Sequence, residues 1–394
     1  MDTLEAIKLL SARYFEETRS IRRHIHRHPE LSFREYETSA YVACKLKEYG
    51  IPYRRIAENG IIGEIKGKGG GKRVALRAEL DALPVQEETR LPFASIIPGV
   101  MHACGHDVHT ACLLGAGRIL KEIEPELKGS IMLIFQPGEE TLPGGAKQML
   151  EEGLFEESEP FVVIAQHVLP ELPAGKTAFR KGLYMASGDE LFITVKGKGG
   201  HAATPSKTVN TVLIAAKIIT ELHQLSDRDA PAGIPSVLAI GKVTAEGATN
   251  VIPKEVRLEG TFRTMDEKWR SAAHERIMEI TTNAAKAMGG DCKVEIRKGY
   301  PALVNNPEYT EAAARFSAQY LGNEMVEDMD IRMTTEDFAY FAMKYPAVFF
   351  RTGTGMADKK LHTPVFDIDE EIIENATGNI AWLAYKFGCK PLVQ

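Results

Sequence analysis

Arg73-Val74-Ala75-Leu76-Arg77-Ala78 runs into Glu79 and Asp81, Ile131-Met132-Leu133-Ile134-Phe135 runs into Gly138-Glu139-Glu140, and Phe161-Val162-Val163-Ile164-Ala165 runs into His167. Short apolar runs bounded in this way read as strands buried on both faces of a sheet. Helical patterns lie between them, near residues 109–123 and 144–152. The alternation predicts an α/β fold, with a mostly parallel central sheet and helices on both faces. In such sheets ligands bind beyond the carboxyl ends of the strands. These runs place their acids and their histidine there. Ala347-Val348-Phe349-Phe350 reads as one more buried strand, and Asn306-Pro307 as a capped helix start.

The middle of the chain has a different grammar. Glu190–Val195 and Val256–Phe262 alternate like half-exposed strands, with helical patterns near 208–226 and 266–288. An α+β module inserted in the α/β domain accounts for both patterns. The expected division is a catalytic domain built from 1–184 and 299–394, interrupted by a domain at 185–298.

At 394 residues the chain is long for one core, which also favours two domains. A net charge of −6 gives no electrostatic footprint for nucleic acid or an anionic membrane. No run reaches the roughly 18 apolar residues of a membrane span. The start, Met1-Asp2-Thr3-Leu4-Glu5, is acidic and lacks the apolar stretch of a signal peptide. The 5 cysteines are scattered and odd in number, which argues against a disulfide framework. A cytoplasmic protein is expected.

The chemistry is concentrated in Met101-His102-Ala103-Cys104-Gly105-His106-Asp107-Val108-His109. Thiolate and imidazole are ligands for zinc, manganese, nickel or cobalt. Cys104 and His106 lie two apart, so in an extended loop both side chains point the same way. Glu139 and Glu140 follow a strand, and neighbours there diverge. One can bind metal while the other faces substrate as a general base. Alone, such a pair is usually two solvated acids, and a lone histidine such as His167 is usually a satisfied core residue. Together Cys104, His106, Glu140, His167 and His362 are enough for two metals that share a ligand.

The Met101–Thr110 stretch, Gln136-Pro137-Gly138-Glu139-Glu140 and Gly199-Gly200-His201-Ala202-Ala203 resemble the hippurate hydrolase, or N-acyl-amino-acid amidohydrolase, branch of the aminoacylase/carboxypeptidase-type dinuclear metallohydrolases. N-acetyldiaminopimelate deacetylase and the plant auxin-conjugate hydrolases are relatives. The likeness runs from Arg22–Leu31 to His362. It implies a zinc-exopeptidase-like catalytic domain and makes the insert a lid and dimerisation domain. It implies two divalent metal ions per subunit, with Cys104 bridging and His106, Glu140, His167 and His362 completing the site. Glu139 is then the general base. His201 resembles the family's lid histidine, which stabilises the oxyanion and in several relatives comes from the partner subunit of a homodimer. Asn250 and Arg263 are similar to lid residues that hold the substrate's amide and carboxylate. A planar guanidinium suits a carboxylate because it donates two parallel bonds.

The expected function is metal-dependent hydrolysis of the amide of an N-acyl amino acid, of N-acetyl, hippurate or acyl-diaminopimelate type, to carboxylate and free amino acid. A metallo-carboxypeptidase or dipeptidase is the alternative. A non-catalytic metal or amino-acid sensor would have no use for Glu139 or His201, and structural zinc sites favour closed Cys/His sets close in sequence. The chain departs from the family at Glu79, where an aspartate is usual. Gly67–Lys72 lacks the Ser/Thr of a phosphate loop and reads as a hairpin turn. His24, His26 and His28 read as structural, and His109 as a helix-start or supporting residue.

Overall fold

A computed structural model describes Asp2–Cys389. The chain opens with α1 (Thr3–Arg27), α2 (Tyr36–Glu48), β1 (Tyr53–Ile56), β2 (Gly60–Lys66), β3 (Arg73–Glu79), α3 (His106–Glu122), β4 (Ser130–Gln136), α4 (Gly145–Glu151), β5 (Val162–Leu169) and β6 (Thr177–Phe179). It continues with β7 (Gly182–Met185), β8 (Ser187–Lys196), β9 (Gly200–His201), α5 (Thr211–Gln224), β10 (Ser236–Ala245), β11 (Val251–Ile252), β12 (Glu255–Thr264), α6 (Glu267–Ala287), β13 (Asp291–Lys298) and β14 (Leu303–Asn305). It closes with α7 (Pro307–Leu321), β15 (Val326–Asp328), α8 (Ala339–Ala342), β16 (Ala347–Gly353) and α9 (Ile372–Cys389). The chain packs as two compact units. One comprises the stretch ending at Tyr184, Val304–Ile331 and the stretch from Asp337 onward; the other comprises Met185–Leu303 and Arg332–Glu336.

The first unit is built on a sheet of order β1-β2-β4-β3-β5-β16-β6-β15. Its centre, β4-β3-β5-β16, is parallel, while β1, β2 and β6 join antiparallel. The apolar runs became these central strands because β5, for one, is buried at every position. Period-two alternation sorts each strand between two environments. Val74, Leu76, Ile131, Leu133, Val162, Ile164 and Val348 join one core with residues of α1, α3 and α9. Each such Leu, Ile or Val contributes about 1.5–3 kcal/mol by leaving water. The intervening positions put Arg77, Glu79, Gln136 and His167, all buried, on the opposite side. There α4 and α8 lie against β4 and β16.

The Gly67–Lys72 segment is not a hairpin turn. β4 lies between β2 and β3, so the segment instead pairs its amides with the carbonyls of Leu127, Lys128, Gly129 and Gly388. The Asn306 cap is present, accepting from the amides of Glu308 and Tyr309 with Pro307 in the first turn. α3 begins at His106, three residues before its apolar periodicity does.

The second unit carries an antiparallel sheet of order β10-β12-β8-β13. Leu191, Ile193 and Val195 of β8 pack with Ile214 and Ile218 of α5 and Ile277 of α6. Intervening β8 residues are half-buried or exposed, which explains the alternation in the sequence.

Candidate functional site

α3 starts where it does because Gly105 takes φ +88° and a Cβ there would lie 2.3 Å from Val168 Cγ2. Only glycine accepts both demands. The turn leaves Cys104 just before the helix and His106 at its first position, both buried. His106 Nδ1 lies 2.9 Å from the Asp81 carbonyl oxygen and 3.2 Å from Asp81 Oδ1. A carbonyl can only accept, so Nδ1 carries a proton and Nε2 is the nitrogen left to face a ligand. That Nε2 is buried without a hydrogen-bond partner. His167 repeats the device: its Nδ1 donates to the Val168 carbonyl at 2.7 Å, and its Nε2 lies 3.4 Å from Cys104 Sγ.

His362 adopts φ +61°, a strained conformation held by its amide donating to the Ala103 carbonyl at 2.7 Å. Its Nε2 sits 3.3 Å from Cys104 Sγ and 3.3 Å from Glu140 Oε1. Glu140 Oε1 is likewise buried without a hydrogen-bond partner. Two triads result, Cys104-His106-His167 and Cys104-Glu140-His362, with the thiol common to both. Three imidazoles and a carboxylate converging on a buried sulfur, with two of their polar atoms left without hydrogen-bond partners, form a donor set that suits a cation. Glu139 is 7% exposed, and its Oε1 accepts weakly from the Asp337 amide at 3.4 Å.

The electrostatics agree. Burial, with Glu140 and Glu139 nearby, pushes the Cys104 thiol well above its ordinary value. Burial, reinforced by Arg351, holds His167 well below its own. His106 moves the other way: burial opposes it, but Glu79, Asp81 and Glu140 raise it to about 10. Protons on Cys104 Sγ and His106 Nε2 occupy the lone pairs a metal needs. Metal uptake by stripped protein is therefore expected to release protons and to strengthen as pH rises towards about 10. Each displaced proton is worth up to about tenfold in affinity per pH unit. Calorimetric titration in buffers of different ionisation enthalpy measures this, and a pH-independent affinity would count against it.

Around the triads lies a supporting layer. Asp81 Oδ2 accepts from the Glu140 amide at 2.9 Å and from Ser32 Oγ at 2.7 Å. Glu79 pairs with Arg77 and accepts from His109 Nδ1 at 2.9 Å. The Val168 amide donates to His109 Nε2 at 2.9 Å. Both ring nitrogens of His109 are thus in use, so it supports its neighbours and is not free to ligate. The two oxygens of the Glu79 carboxylate are thus divided between Arg77 and His109. His26 is also structural, with Nδ1 2.8 Å from Asp107 and Nε2 3.2 Å from Glu87. The sequence marks Glu79 as the departure from the family and Asp81 as a strand-end acid, but gives no sign of the parts that Arg77 and Ser32 play. The strand-end acids were the available signal.

The Glu139–Glu140 turn depends on Gly138, at φ +57°, where a Cβ would lie 2.4 Å from Phe33 Cε1. Gly138→Ala is expected to cost about 1–3 kcal/mol of stability, read as a lower midpoint in chemical denaturation.

In the second unit, His201 is exposed at the end of β9 and pairs with Val251 of β11. Asn250, also exposed, precedes β11, and its carbonyl accepts from the Ala202 amide at 2.9 Å. These two residues are therefore neighbours. Arg263 belongs to the larger sheet, in β12, and its Nη1 donates to the Met333 carbonyl at 2.7 Å.

The sequence model of Peptidase family M20/M25/M40 matches residues 75–385. The chain is 36% identical to N-acetylcysteine deacetylase of Bacillus subtilis, over 93% of this chain and 95% of that protein. It is 36% identical to thermostable carboxypeptidase 1 of Saccharolobus solfataricus, over 94% of this chain and 95% of that one. Among solved structures, the YXEP protein of Bacillus subtilis, described as a dinuclear metal binding peptidase, overlays with a TM-score of 0.82 at 33% identity, covering 96% of this chain and 99% of that one.

Proposed function

This chain belongs to peptidase family M20/M25/M40, and from that premise we propose that it hydrolyses the amide of N-acyl amino acids at a dinuclear metal site. Metal-dependent amide hydrolysis is common ground for its relatives; the acyl-amino-acid substrate is the finer reading. The observation that carries it is the convergence of His106 Nε2, His167 Nε2, His362 Nε2 and Glu140 Oε1 on one shared thiol, with a second carboxylate, Glu139, next in sequence. The likeness to a deacetylase of an acetylated amino acid favours this substrate class.

Cys104, His106, Glu140, His167 and His362 would hold two divalent ions, zinc, manganese, nickel or cobalt, with Cys104 shared. Bound there, the ions supply Lewis acidity, making water nucleophilic at neutral pH and offsetting charge on the reacting carbonyl. Glu139 takes the water's proton as oxygen adds to the acyl carbon. It returns that proton to nitrogen as the C–N bond breaks, leaving a carboxylate and a free amine. His201 donates to the developing oxyanion. Its Nδ1 accepts from the Ala203 amide at 3.1 Å, so its Nε2 carries the proton such a role needs. Asn250 and Arg263 hold the amide and carboxylate of the amino-acid half. The segment that carries these three residues acts as lid and homodimer contact.

A metallo-carboxypeptidase or dipeptidase is the second reading, favoured by the equal likeness to a carboxypeptidase. Metal-stripped protein resupplied with Zn²⁺, Mn²⁺, Co²⁺ or Ni²⁺ decides between them. Release of amine from N-acetyl amino acids or hippurate, well above that from dipeptides, is the expected result. The reverse preference installs the peptidase reading, and no turnover with any of the four metals sinks both.

A further inference from the structure

Glu35 precedes α2 at the position from which a side chain usually caps a helix, yet it makes no such bond. It is fully buried instead. Its Oε1 accepts from the Phe33 amide and from the Gly138 amide, each at 2.8 Å, and its Oε2 accepts from Asn59 Nδ2 at 3.2 Å. The Gly138 bond bridges 103 residues and arrives one residue before Glu139. The Phe33 ring closes over the same glycine. On the far side of the turn, Ser32 Oγ donates to the Asp81 oxygen that receives the Glu140 amide. The Ser32–Glu35 segment thus grips the turn at both ends, at Gly138 directly and at Glu140 through Asp81.

Burying a carboxylate is unfavourable unless its bonds compensate. Here burial and the neighbouring charge of Asp81 push the Glu35 carboxyl up to about 7. A cap for α2 would not require that burial. The bond that Glu35 reaches for is the amide of the left-handed residue from which Glu139 and Glu140 diverge.

Resting on the hydrolytic reading above, we propose that Glu35 is a positioning residue: by fixing the Gly138 turn it keeps Glu139 aimed as the base and Glu140 aimed at the Cys104 centre. It touches neither substrate nor metal. Its effect is on geometry, and displacements of about 1 Å in a reacting group cost up to about 10²-fold in rate.

Three variants of the full-length, metal-loaded protein test this. Glu35→Ala is expected to lower kcat about 10–100-fold with KM little changed and bound metal retained. Amide exchange in the segment holding Gly138 is expected to speed by about tenfold or more. Glu35→Gln keeps both the reach and an acceptor oxygen, so it should recover most of kcat. Glu35→Asp keeps the charge but falls a methylene short, so it should behave like Glu35→Ala. Should Glu35→Ala fail to fold, the Gln-above-Asp order carries the test. An Asp variant more active than the Gln variant would assign Glu35 a charge role and overturn the proposal. So would faster Gly138 exchange with kcat unchanged, or unchanged exchange in the Ala and Asp variants. If the parent protein hydrolyses nothing, the hydrolytic reading fails, and exchange at Gly138 still reports whether Glu35 holds the turn.

Discussion

Glu139→Gln is expected to keep its full metal content and to hydrolyse N-acetyl amino acids about 10²–10⁴-fold more slowly. The amide is isosteric with the carboxylate, and Glu139 belongs to neither triad that shares the Cys104 thiol, although it also lies within ligand reach of His106 and Glu140. What disappears is the proton acceptor. The loss amounts to about 2.7–5.4 kcal/mol of barrier, at 1.36 kcal/mol per factor of ten. Metal analysis of the purified variant, beside kcat on the best substrate of the panel, checks both halves. Retained turnover would remove Glu139 from the role of base. Lost metal would instead make it a ligand.

Cys104→Ala is expected to do more damage, because both triads share that sulfur. Loss of a contact that merely orients a ligand typically costs about 10–100-fold in metal affinity; loss of the shared ligand should exceed that. The variant is expected to hold well under the parent's stoichiometry after dialysis and to lose the thermal stabilisation the parent gains on adding metal. That stabilisation reaches about 2.7 kcal/mol when free metal is a hundred times the dissociation constant. A Cys104→Ala protein that still binds two ions with parental affinity would refute the shared-thiol arrangement.

The central strands were legible because burial on both faces leaves a continuous apolar run, as in Phe161–Ala165, which leads into the fully buried β5. The flanks were not. β15 spans three residues, Val326-Glu327-Asp328, with no apolar pattern to read. Strand order was also beyond local reasoning: a glycine-rich link between two strands reads as a hairpin, and nothing near Gly67–Lys72 announces that β4 will slot between them. At the site, residue types gave the candidates. Cysteine, histidine and paired glutamates in strand-end positions are rare enough to stand out. The layer beneath them did not, because it works through main-chain atoms. Asp81 holds the amide of Glu140, 59 residues on, and Glu35 that of Gly138, 103 residues on. Any residue but proline presents such an amide, so no spacing rule marks it. His109 shows the opposite limit. Its place at a helix start suggested a supporting role, but the groups it supports, Glu79 and the Val168 amide, appear only in the fold.

The order of the sheet also bears on how the protein is made. β16 closes the parallel centre beside β5, yet it follows β5 only after the whole second unit has been synthesised. His167, the last of Cys104, His106, Glu140 and His167 to be made, leaves the ribosome 195 residues before His362, a delay of roughly 10–40 s at about 5–20 residues per second. During that interval β5, whose first four residues are apolar, is an unpaired edge, the kind of strand that recruits foreign partners. α9, which covers α1 and α3, is also still to come. The nascent chain therefore offers four of its five proposed ligands on a half-built sheet, before the strand that closes its parallel centre has been made.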